Sequence, residues 1–191
     1  MKVLLIKPPY TRLRGVGQSP YFPLGLGYIA AVLKNHGFEV MIYHAENPRS
    51  KDELMLTDAD IGFDFRSIGY QRYKSNLQDD SHYIWQEVLE TLGVYKPDIV
   101  GITLLSVEVA SALKMAQICK QYKKDCPIVW GGVHPTFLPD DSLKNPEVDF
   151  VIRGEGECAM LELCQTLKRG EKETLRDIRG LSFKYEGQIV H

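Results

Sequence analysis

Short apolar runs that are typical of buried strands alternate along this chain with longer segments whose apolar residues recur at helical spacing. The apolar runs lie at residues 2–7, 38–43, 97–103, 127–130 and 148–152. Helices are predicted between and after them, at residues 23–37, 79–93, 107–124 and 156–170. Strands separated by helices pair in parallel through right-handed crossovers, so the pattern predicts an α/β protein with both faces of its sheet covered.

The fold class predicted from this alternation is a doubly wound, mostly parallel sheet of five strands, Rossmann-like or flavodoxin-like, with a C-terminal β-hairpin. The hairpin is predicted at residues 181–185 and 188–190, with Glu186 and Gly187 as its turn. Residues 1–175 would form the domain, and residues 176–191 would be the hairpin or a linker toward a further domain.

Residues 45–80 interrupt the repeat. They are too long and polar for a simple connection, so we expect an insertion that lies over the strand ends. Asp79, Asp80 or Ser81 is expected to cap the helix that follows the insertion.

Composition and charge argue against several classes of partner. The 191-residue chain is 44% hydrophobic and 25% charged, as expected for a soluble domain with a sizeable core. Its formal net charge of −2 gives no reason to expect a nucleic-acid or membrane partner. The apolar stretch at residues 24–33 is too short to span a membrane, and the N-terminus does not resemble a signal peptide, so a cytoplasmic location is expected. The four cysteines form no C-x-x-C pair, so metal ligation by cysteine is not predicted.

Small, uncharged residues follow three successive predicted strands. They are Gly101, Thr103 and Ser106, then Gly131 and Gly132, then Gly154 and Gly156. Missing side chains at these positions would open a slot between the sheet and its helices, and backbone amides could approach a ligand closely. Each pair taken alone could be ordinary turn glycines, but three consecutive loops on one sheet edge favour a large ligand.

Two other ligand classes share the predicted fold. The dinucleotide pattern G-x-G-x-x-A occurs at residues 25–30 and 154–159, but the first match is predicted within a helix and the second carries two glutamates that would repel phosphate. A phosphoacceptor receiver domain needs acidic residues after the first and third strands, where this chain has KPPY and TLLS. Neither class is predicted.

Four segments in order resemble the N-terminal cobalamin-binding domain of cobalamin-dependent radical S-adenosylmethionine (SAM) enzymes of the methyltransferase type. They are KPPY with PLGLGYIAAVLKNHGFEV, KPDIVGIT, VWGGVHPTFLPDD and VIRGEGE. The resemblance covers nearly the whole chain apart from residues 45–80. It implies a Rossmann-like domain that binds cobalamin base-off, with the dimethylbenzimidazole tail detached from the cobalt and held by the protein.

The resemblance also implies which residues contact the cofactor, and it assigns no catalytic residue and no metal ligand. The tail would run beside the third and fourth strands, lined by Thr103, Leu105, Ser106, Gly131 and Gly132. The corrin would rest on the loops after the first, fourth and fifth strands, which contain Pro9, Tyr10, Val133, His134, Arg153, Gly154, Glu155 and Gly156. If its φ angle permits leucine, the substitution Gly132→Leu is expected to block the tail without disturbing the fold.

Cobalamin domains that ligate cobalt through histidine carry D-x-H-x-x-G after the first strand, whereas this chain has KPPYTRLRG there. We therefore expect no protein imidazole on the lower face of the corrin. His134 has three interpretations: contact with the corrin edge or an amide side chain, a ring held in a His-Pro turn by a hydrogen bond to the backbone, or ligation of the cobalt, which its position after the fourth strand disfavours. Arg153 and Glu155 would bind corrin amides or a partner domain, or form an exposed ion pair.

The sequence has no cysteine triad for the four-iron four-sulfur cluster that cleaves SAM in such enzymes. The expected function is therefore that of the cobalamin-binding part of a longer radical SAM methyltransferase, whose C-terminal domain would hold the cluster and SAM. Two alternatives stay open. One is a stand-alone module that binds, delivers or senses cobalamin without catalysis, and the other is a flavodoxin-like binder of another nucleotide.

Overall fold

Seven strands form one sheet in the computed structural model, which describes residues 1–15, 21–47 and 63–191, with the side chains of residues 63–66 and 172 excepted. The strands are β1 (Lys2–Lys7), β2 (Glu39–His44), β3 (Ile99–Thr103), β4 (Ile128–Gly131), β5 (Phe150–Ile152), β6 (Leu181–Tyr185) and β7 (Gln188–Val190). Their spatial order is β2-β1-β3-β4-β5-β6-β7, with the first five parallel and the last two antiparallel. The predicted fold class is confirmed, and the C-terminal hairpin extends the same sheet.

The helices connect the strands and cover the sheet. They are α1 (Thr11–Arg14), α2 (Leu24–Asn35), α3 (Phe63–Gln78), α4 (Tyr83–Tyr95), α5 (Val109–Tyr122), α6 (Val133–Phe137), α7 (Pro139–Lys144) and α8 (Glu157–Arg169), with 3₁₀ turns at Ser106–Glu108 and Lys172–Asp177. The four predicted helices correspond to α2, α4, α5 and α8. The short helices α1, α6 and α7 were not predicted.

Both faces of the sheet are buried, because the strands are apolar at consecutive positions and send alternate side chains to opposite sides. In β1, Leu4 and Ile6 pack in the cluster that contains Trp85 of α4 and Met115 of α5. Leu5 packs on the other face in a cluster formed with α2 and α8, whose members include Leu26, Leu33, Met160 and Leu163.

The start of α4 differs from its prediction. His82 is the N-cap, and its Nδ1 accepts a hydrogen bond from the amide of Ile84 at 3.4 Å. Asp79 instead accepts from the amide and the hydroxyl of Ser81, at 2.9 and 2.6 Å, and so stabilises the turn before the helix. The prediction of an acidic or serine cap was wrong, because these side chains are used one turn earlier.

The described part of the predicted insertion includes α3, while residues 48–62 lie outside the described residues. Tyr73 of α3 packs edge-on against Tyr10, which lies in the loop after β1, with ring centroids 5.3 Å apart. The side-chain amide of Asn76 donates to the backbone carbonyl of Leu13 at 2.9 Å. The backbone carbonyl of Asn76 accepts from the indole N–H of Trp85 at 3.0 Å. The insertion therefore helps to fix the loop at the carboxyl end of β1.

Candidate functional site

A cavity of about 180 Å³ lies at the carboxyl edge of the sheet, between the strands and helices α2 and α8. The strands contribute Leu5, Gly101, Ile102, Thr103, Val129, Gly131 and Ile152 to its lining, and the loops and helices contribute Gly25, Leu26, Ile29, Gly132, Gly154, Glu155, Gly156, Glu157 and Met160. Leu5 of β1 and Gly101 of β3 are partners in register. The cavity therefore borders the β1–β3 junction, where the strand order reverses and where open α/β sheets bind ligands.

Glycines keep this cavity open at positions where a side chain would meet a wall. A Cβ atom added to Gly101 would lie 3.0 Å from Cδ2 of Leu5, and one added to Gly156 would lie 2.9 Å from Cδ1 of Ile29. At Gly131 the nearest atom would be the carbonyl oxygen of Ile152, at 3.8 Å, which is an ordinary contact distance. Gly131 therefore has room for a side chain, and its backbone conformation permits one.

Gly132 is glycine for a conformational reason. Its φ is +96°, a region that L-residues with side chains rarely adopt. A Cβ atom here would also lie 2.8 Å from Oγ1 of Thr103 and 3.0 Å from the carbonyl oxygen of Leu104. The condition on the predicted Gly132→Leu test is therefore not met, since leucine here would strain the backbone.

Hydrogen bonds tie together the loops that border the cavity. The hydroxyl of Thr136 donates to the carbonyl of Gly132 at 2.7 Å and accepts from the amide of Gly154 at 3.0 Å. The carbonyl of Gly131 accepts from the amide of Leu104 at 3.0 Å. The loops after β3, β4 and β5 are thus fixed relative to one another.

The structure brings about half of the predicted site residues to the cavity wall. Those that line it are Thr103, Gly131, Gly132, Gly154, Glu155 and Gly156. Those that lie outside its lining are Pro9, Tyr10, Leu105, Ser106, Val133, His134 and Arg153. Most of the second group lies in the loops after β1, β3 and β4, at the same carboxyl edge of the sheet.

The loop after β1 is held by a buried carboxylate. Oε1 of Glu46 accepts from the amides of Tyr10 and Thr11, at 2.8 and 2.9 Å, and Oε2 accepts from the amide of Arg12 at 2.9 Å and from the hydroxyl of Thr11 at 2.8 Å. Arg12 in turn donates to both carboxylate oxygens of Glu87, at 2.7 and 2.8 Å. These bonds explain why so short a helix as α1 forms.

His134 lies in α6, half-buried, with its amide donating to the carbonyl of Leu104 at 3.3 Å. Its Nδ1 lies 3.1 Å from the hydroxyl of Ser106. The contact differs from the alternative in which a backbone group holds the ring, because the partner is a side-chain hydroxyl of the loop after β3. This contact joins two predicted site residues from different loops.

Arg153 and Glu155 are separated in the structure. Arg153 lines a shallow surface depression beside Phe137, Asp140 and His191, away from the cavity. Its amide donates to the carbonyl of Gly180 at 2.9 Å, which continues the β5–β6 pairing. Among the described residues, no ion pair joins Arg153 to Glu155.

Titratable side chains also lie at the carboxyl ends of β1 and β2. Lys7 forms an ion pair with the buried Glu108, which also accepts from the amide of Leu105 at 2.8 Å. His44 is the register partner of Lys7, and burial lowers the pKa of its imidazole, which favours the neutral ring. Within the described ranges, no three His, Cys, Asp or Glu side chains are grouped so that they could hold a metal ion.

Sequence reasoning missed the residues of the apolar walls, which are Leu5, Leu26, Ile29, Ile102, Val129, Ile152 and Met160, and it did not assign Gly25 or Glu157 to the site. Of these, Leu5 and Val129 precede the ends of their strands by two residues, as does Gly101, which was predicted. Strand alternation could have placed them on one face, once β1, β3 and β4 were known to be neighbours. The helix residues carry no such local signal, because their position depends on how α2 and α8 pack.

The fold and the cavity define a flavodoxin-like domain with a ligand crevice at the carboxyl edge of its sheet. The chain belongs to the B12 binding domain family, whose model matches residues 12–164.

Two relatives match this chain over nearly its whole length. An uncharacterized methyltransferase of Pyrococcus horikoshii is 30% identical over 191 residues, which covers 99% of this chain and 34% of the relative. The anaerobic magnesium-protoporphyrin IX monomethyl ester cyclase of Rubrivivax gelatinosus is 28% identical, over 100% of this chain and 29% of the relative. The chain thus spans about a third of the length of these relatives.

A solved structure supports the fold. The cobalamin-dependent SAM radical enzyme OxsB, solved with aqua-cobalamin and SAM bound, superimposes with a TM-score of 0.69 at 17% identity. The match covers all of this chain and 22% of that one. At this identity the likeness establishes the fold alone.

None of the helices in the described part of the chain is long and apolar enough to span a membrane. The cytoplasmic location and the lack of a nucleic-acid partner stay predictions from charge and composition.

Proposed function

We propose that this chain binds cobalamin base-off, with the nucleotide tail in the cavity between the sheet and helices α2 and α8. The observation that carries the proposal is that cavity, kept open by Gly101, Gly131 and Gly156 at the edge where this fold binds ligands. Family membership makes cobalamin the cofactor to consider first.

The cavity fits the tail in size and polarity. An apolar cavity of ~150 Å³ in another protein admits benzene. The cavity of about 180 Å³ described above could therefore take one fused-ring base. Its walls include Leu26, Ile29, Val129 and Met160, which suit an aromatic base better than a charged group.

The corrin would lie outside the cavity, on the loops at the same edge. Leu105 is 46% exposed and Val133 is 53% exposed, and they lie in the adjacent loops after β3 and β4. Apolar side chains left exposed beside a ligand cavity suit the face of a large ring. We propose that these residues, with Pro9, Tyr10, His134 and the Gly154–Gly156 loop, support the corrin.

The cobalt would have no protein imidazole below it. The loop after β1, where D-x-H-x-x-G would place a ligating histidine, has no histidine in its described part, and His134 is proposed to contact the corrin without ligating the cobalt. When bound, cobalamin supplies a cobalt centre that can accept and donate a methyl group. The role of this chain is to hold the tail, orient the ring and exclude water from the base.

Titration with hydroxocobalamin tests the proposal directly. We expect binding in the micromolar range or tighter, with an absorption spectrum that changes from base-on to base-off as the complex forms. An unchanged spectrum at saturating protein, with the protein folded by circular dichroism, would contradict it.

We further propose that the chain is the cobalamin-binding part of a longer radical SAM enzyme, of the methyltransferase type. In such an enzyme a C-terminal domain would hold a four-iron four-sulfur cluster and SAM. The proposal is supported by the methyltransferase name of one relative, by the radical SAM name of the superimposed enzyme, and by the length of the relatives, of which this chain spans about a third. Determining the coding sequence beyond His191 tests it: we expect a C-x-x-x-C-x-x-C motif downstream, and a stop codon would favour the stand-alone module.

A further inference from the structure

We infer that the cavity selects among cobalamin-type cofactors by the base of their tail, favouring an apolar fused ring such as dimethylbenzimidazole over adenine. The inference rests on the proposed function and assigns a specificity to the same cavity. Cofactors of this type share the corrin ring and differ in that base, so the wall that surrounds the base decides which one binds most tightly.

The wall that a base would touch is mostly hydrocarbon. Leu26 and Ile29 of α2 and Met160 of α8 face the strand residues Val129 and Ile152. All of these except Ile29 are buried, and Ile29 packs against the same core. Dimethylbenzimidazole would place its fused ring and two methyl groups against this wall, and its single free ring nitrogen could accept a hydrogen bond from the hydroxyl of Thr103.

An adenine base carries an amino group and ring nitrogens that need hydrogen-bond partners once they leave water. Two backbone carbonyls beside the cavity are already engaged. The carbonyl of Gly131 accepts from the amide of Leu104, and the carbonyl of Gly132 accepts from both the amide and the hydroxyl of Thr136. A carbonyl that already accepts two hydrogen bonds has no further lone pair to offer.

Among the described residues of the lining, the polar side chains are the hydroxyl of Thr103 and the carboxylates of Glu155 and Glu157. Glu155 is exposed and Glu157 is half-buried, so both lie toward the open end of the cavity. A single hydroxyl cannot satisfy an amino group and several ring nitrogens at once. An adenine base would therefore be buried with at least one polar group lacking a partner.

The test compares three ligands by absorbance titration: cobalamin, the cobamide that carries adenine as its base, and cobinamide, which lacks the nucleotide tail. Leaving one polar group unsatisfied corresponds to a loss of roughly 5- to 150-fold in affinity. We expect cobalamin to bind more tightly than the adenine cobamide by a factor in that range, and cobinamide to bind weakly.

A hydroxyl placed in the wall should change the selectivity. Val129→Thr adds a hydroxyl that faces the cavity, with little change in side-chain volume. The ratio of the dissociation constant of the adenine cobamide to that of cobalamin should therefore fall. Val100→Thr is the matched control, because Val100 is equally buried but packs on the opposite face of the sheet. Ile29→Gln on α2 provides a second variant if Val129→Thr folds poorly.

The outcomes separate this inference from the proposed function. Equal affinity for cobalamin and the adenine cobamide, with weak binding of cobinamide, would overturn the selectivity while leaving the tail in the cavity. Equal affinity for cobinamide and cobalamin would overturn both the selectivity and the proposed position of the tail, because the tail would then contribute nothing to binding. No binding of any of the three would overturn the proposed function itself.

Discussion

The hydroxyl of Thr136 accepts a hydrogen bond from the amide of Gly154 at 3.0 Å, across the gap between the loops after β4 and β5. The same hydroxyl donates to the carbonyl of Gly132 at 2.7 Å. One side chain therefore sets the spacing of two glycine loops that border the cavity. The spacing matters because both loops are proposed to contact the cofactor.

Replacing Thr136 by valine should loosen this connection. Thr136→Val keeps the shape of the side chain but leaves the amide of Gly154 and the carbonyl of Gly132 without this partner. We expect the free energy of unfolding to fall by about 1–2 kcal/mol, measured by urea denaturation, and the affinity for cobalamin to fall with it. Thr136→Ser keeps the hydroxyl and should restore the affinity; equal affinity in the wild type and the valine variant would show that the bond does not position the loops.

Filling the cavity from Gly131 should block the tail. A Cβ atom at Gly131 would be 3.8 Å from its nearest neighbour, so Gly131→Leu adds a side chain to the cavity without backbone strain. We expect cobalamin binding, measured by absorbance titration, to weaken at least ~100-fold in a protein that stays folded. Gly93→Leu is the control, since a Cβ atom at Gly93 in α4 would meet nothing within 4 Å. Retained affinity in a folded Gly131→Leu variant would exclude the tail from the cavity.

The backbone conformation of Gly132 predicts that any side chain at this position destabilises the protein. Gly132→Ala forces a side chain onto a φ of +96° and puts Cβ 2.8 Å from Oγ1 of Thr103. We expect a loss of about 1–3 kcal/mol in the free energy of unfolding, measured by urea denaturation. Gly131→Ala, whose backbone permits alanine, should cost much less, and equal losses for the two variants would contradict the assigned backbone conformation.

Buried thiols should make the protein less stable at alkaline pH. Burial raises the pKa of Cys119 and Cys164 to about 12 and that of Cys126 to about 11. Between the ordinary thiol pKa, near 9, and these values, the unfolded chain loses thiol protons that the folded chain keeps. Stability therefore falls as the pH rises above about 9, by about 1.4 kcal/mol per pH unit for each thiol.

Cysteine variants isolate this effect. Cys164→Ala removes one buried thiol. The unfolding free energy, measured by urea denaturation between about pH 9 and 11, should therefore fall less steeply with pH, by the contribution of one proton. Cys158→Ala is the matched control because Cys158 is exposed. A slope that is unchanged in Cys164→Ala would mean that this thiol ionises equally in both states.

Most strands and the helices α2, α4, α5 and α8 could be predicted from sequence because their signals are local, whereas α3 in the predicted insertion was not. The apolar run predicted as the first strand, residues 2–7, is β1, and the predicted turn at Glu186 and Gly187 joins β6 to β7. Helix α8 ends at Gly170 with a φ of +76°, as its closing glycine suggests. The short helices lack such signals. The start of α1 is stabilised by four hydrogen bonds that its N-cap residue and first turn donate to the carboxylate of Glu46, which lies more than thirty residues further along the chain.

By itself, the amino-acid sequence determined the parallel α/β architecture and the edge of the sheet where small residues gather, because both follow from the order of apolar runs and glycines. The tertiary structure alone decided which residues enclose the cavity, since Leu26, Ile29 and Met160 reach it only through the packing of α2 and α8 on the sheet. It also decided that Gly132 is required by its backbone conformation while Gly131 is not. Backbone dihedrals and the distance between helix and strand arise from contacts among residues far apart in the chain, and no local pattern contains them.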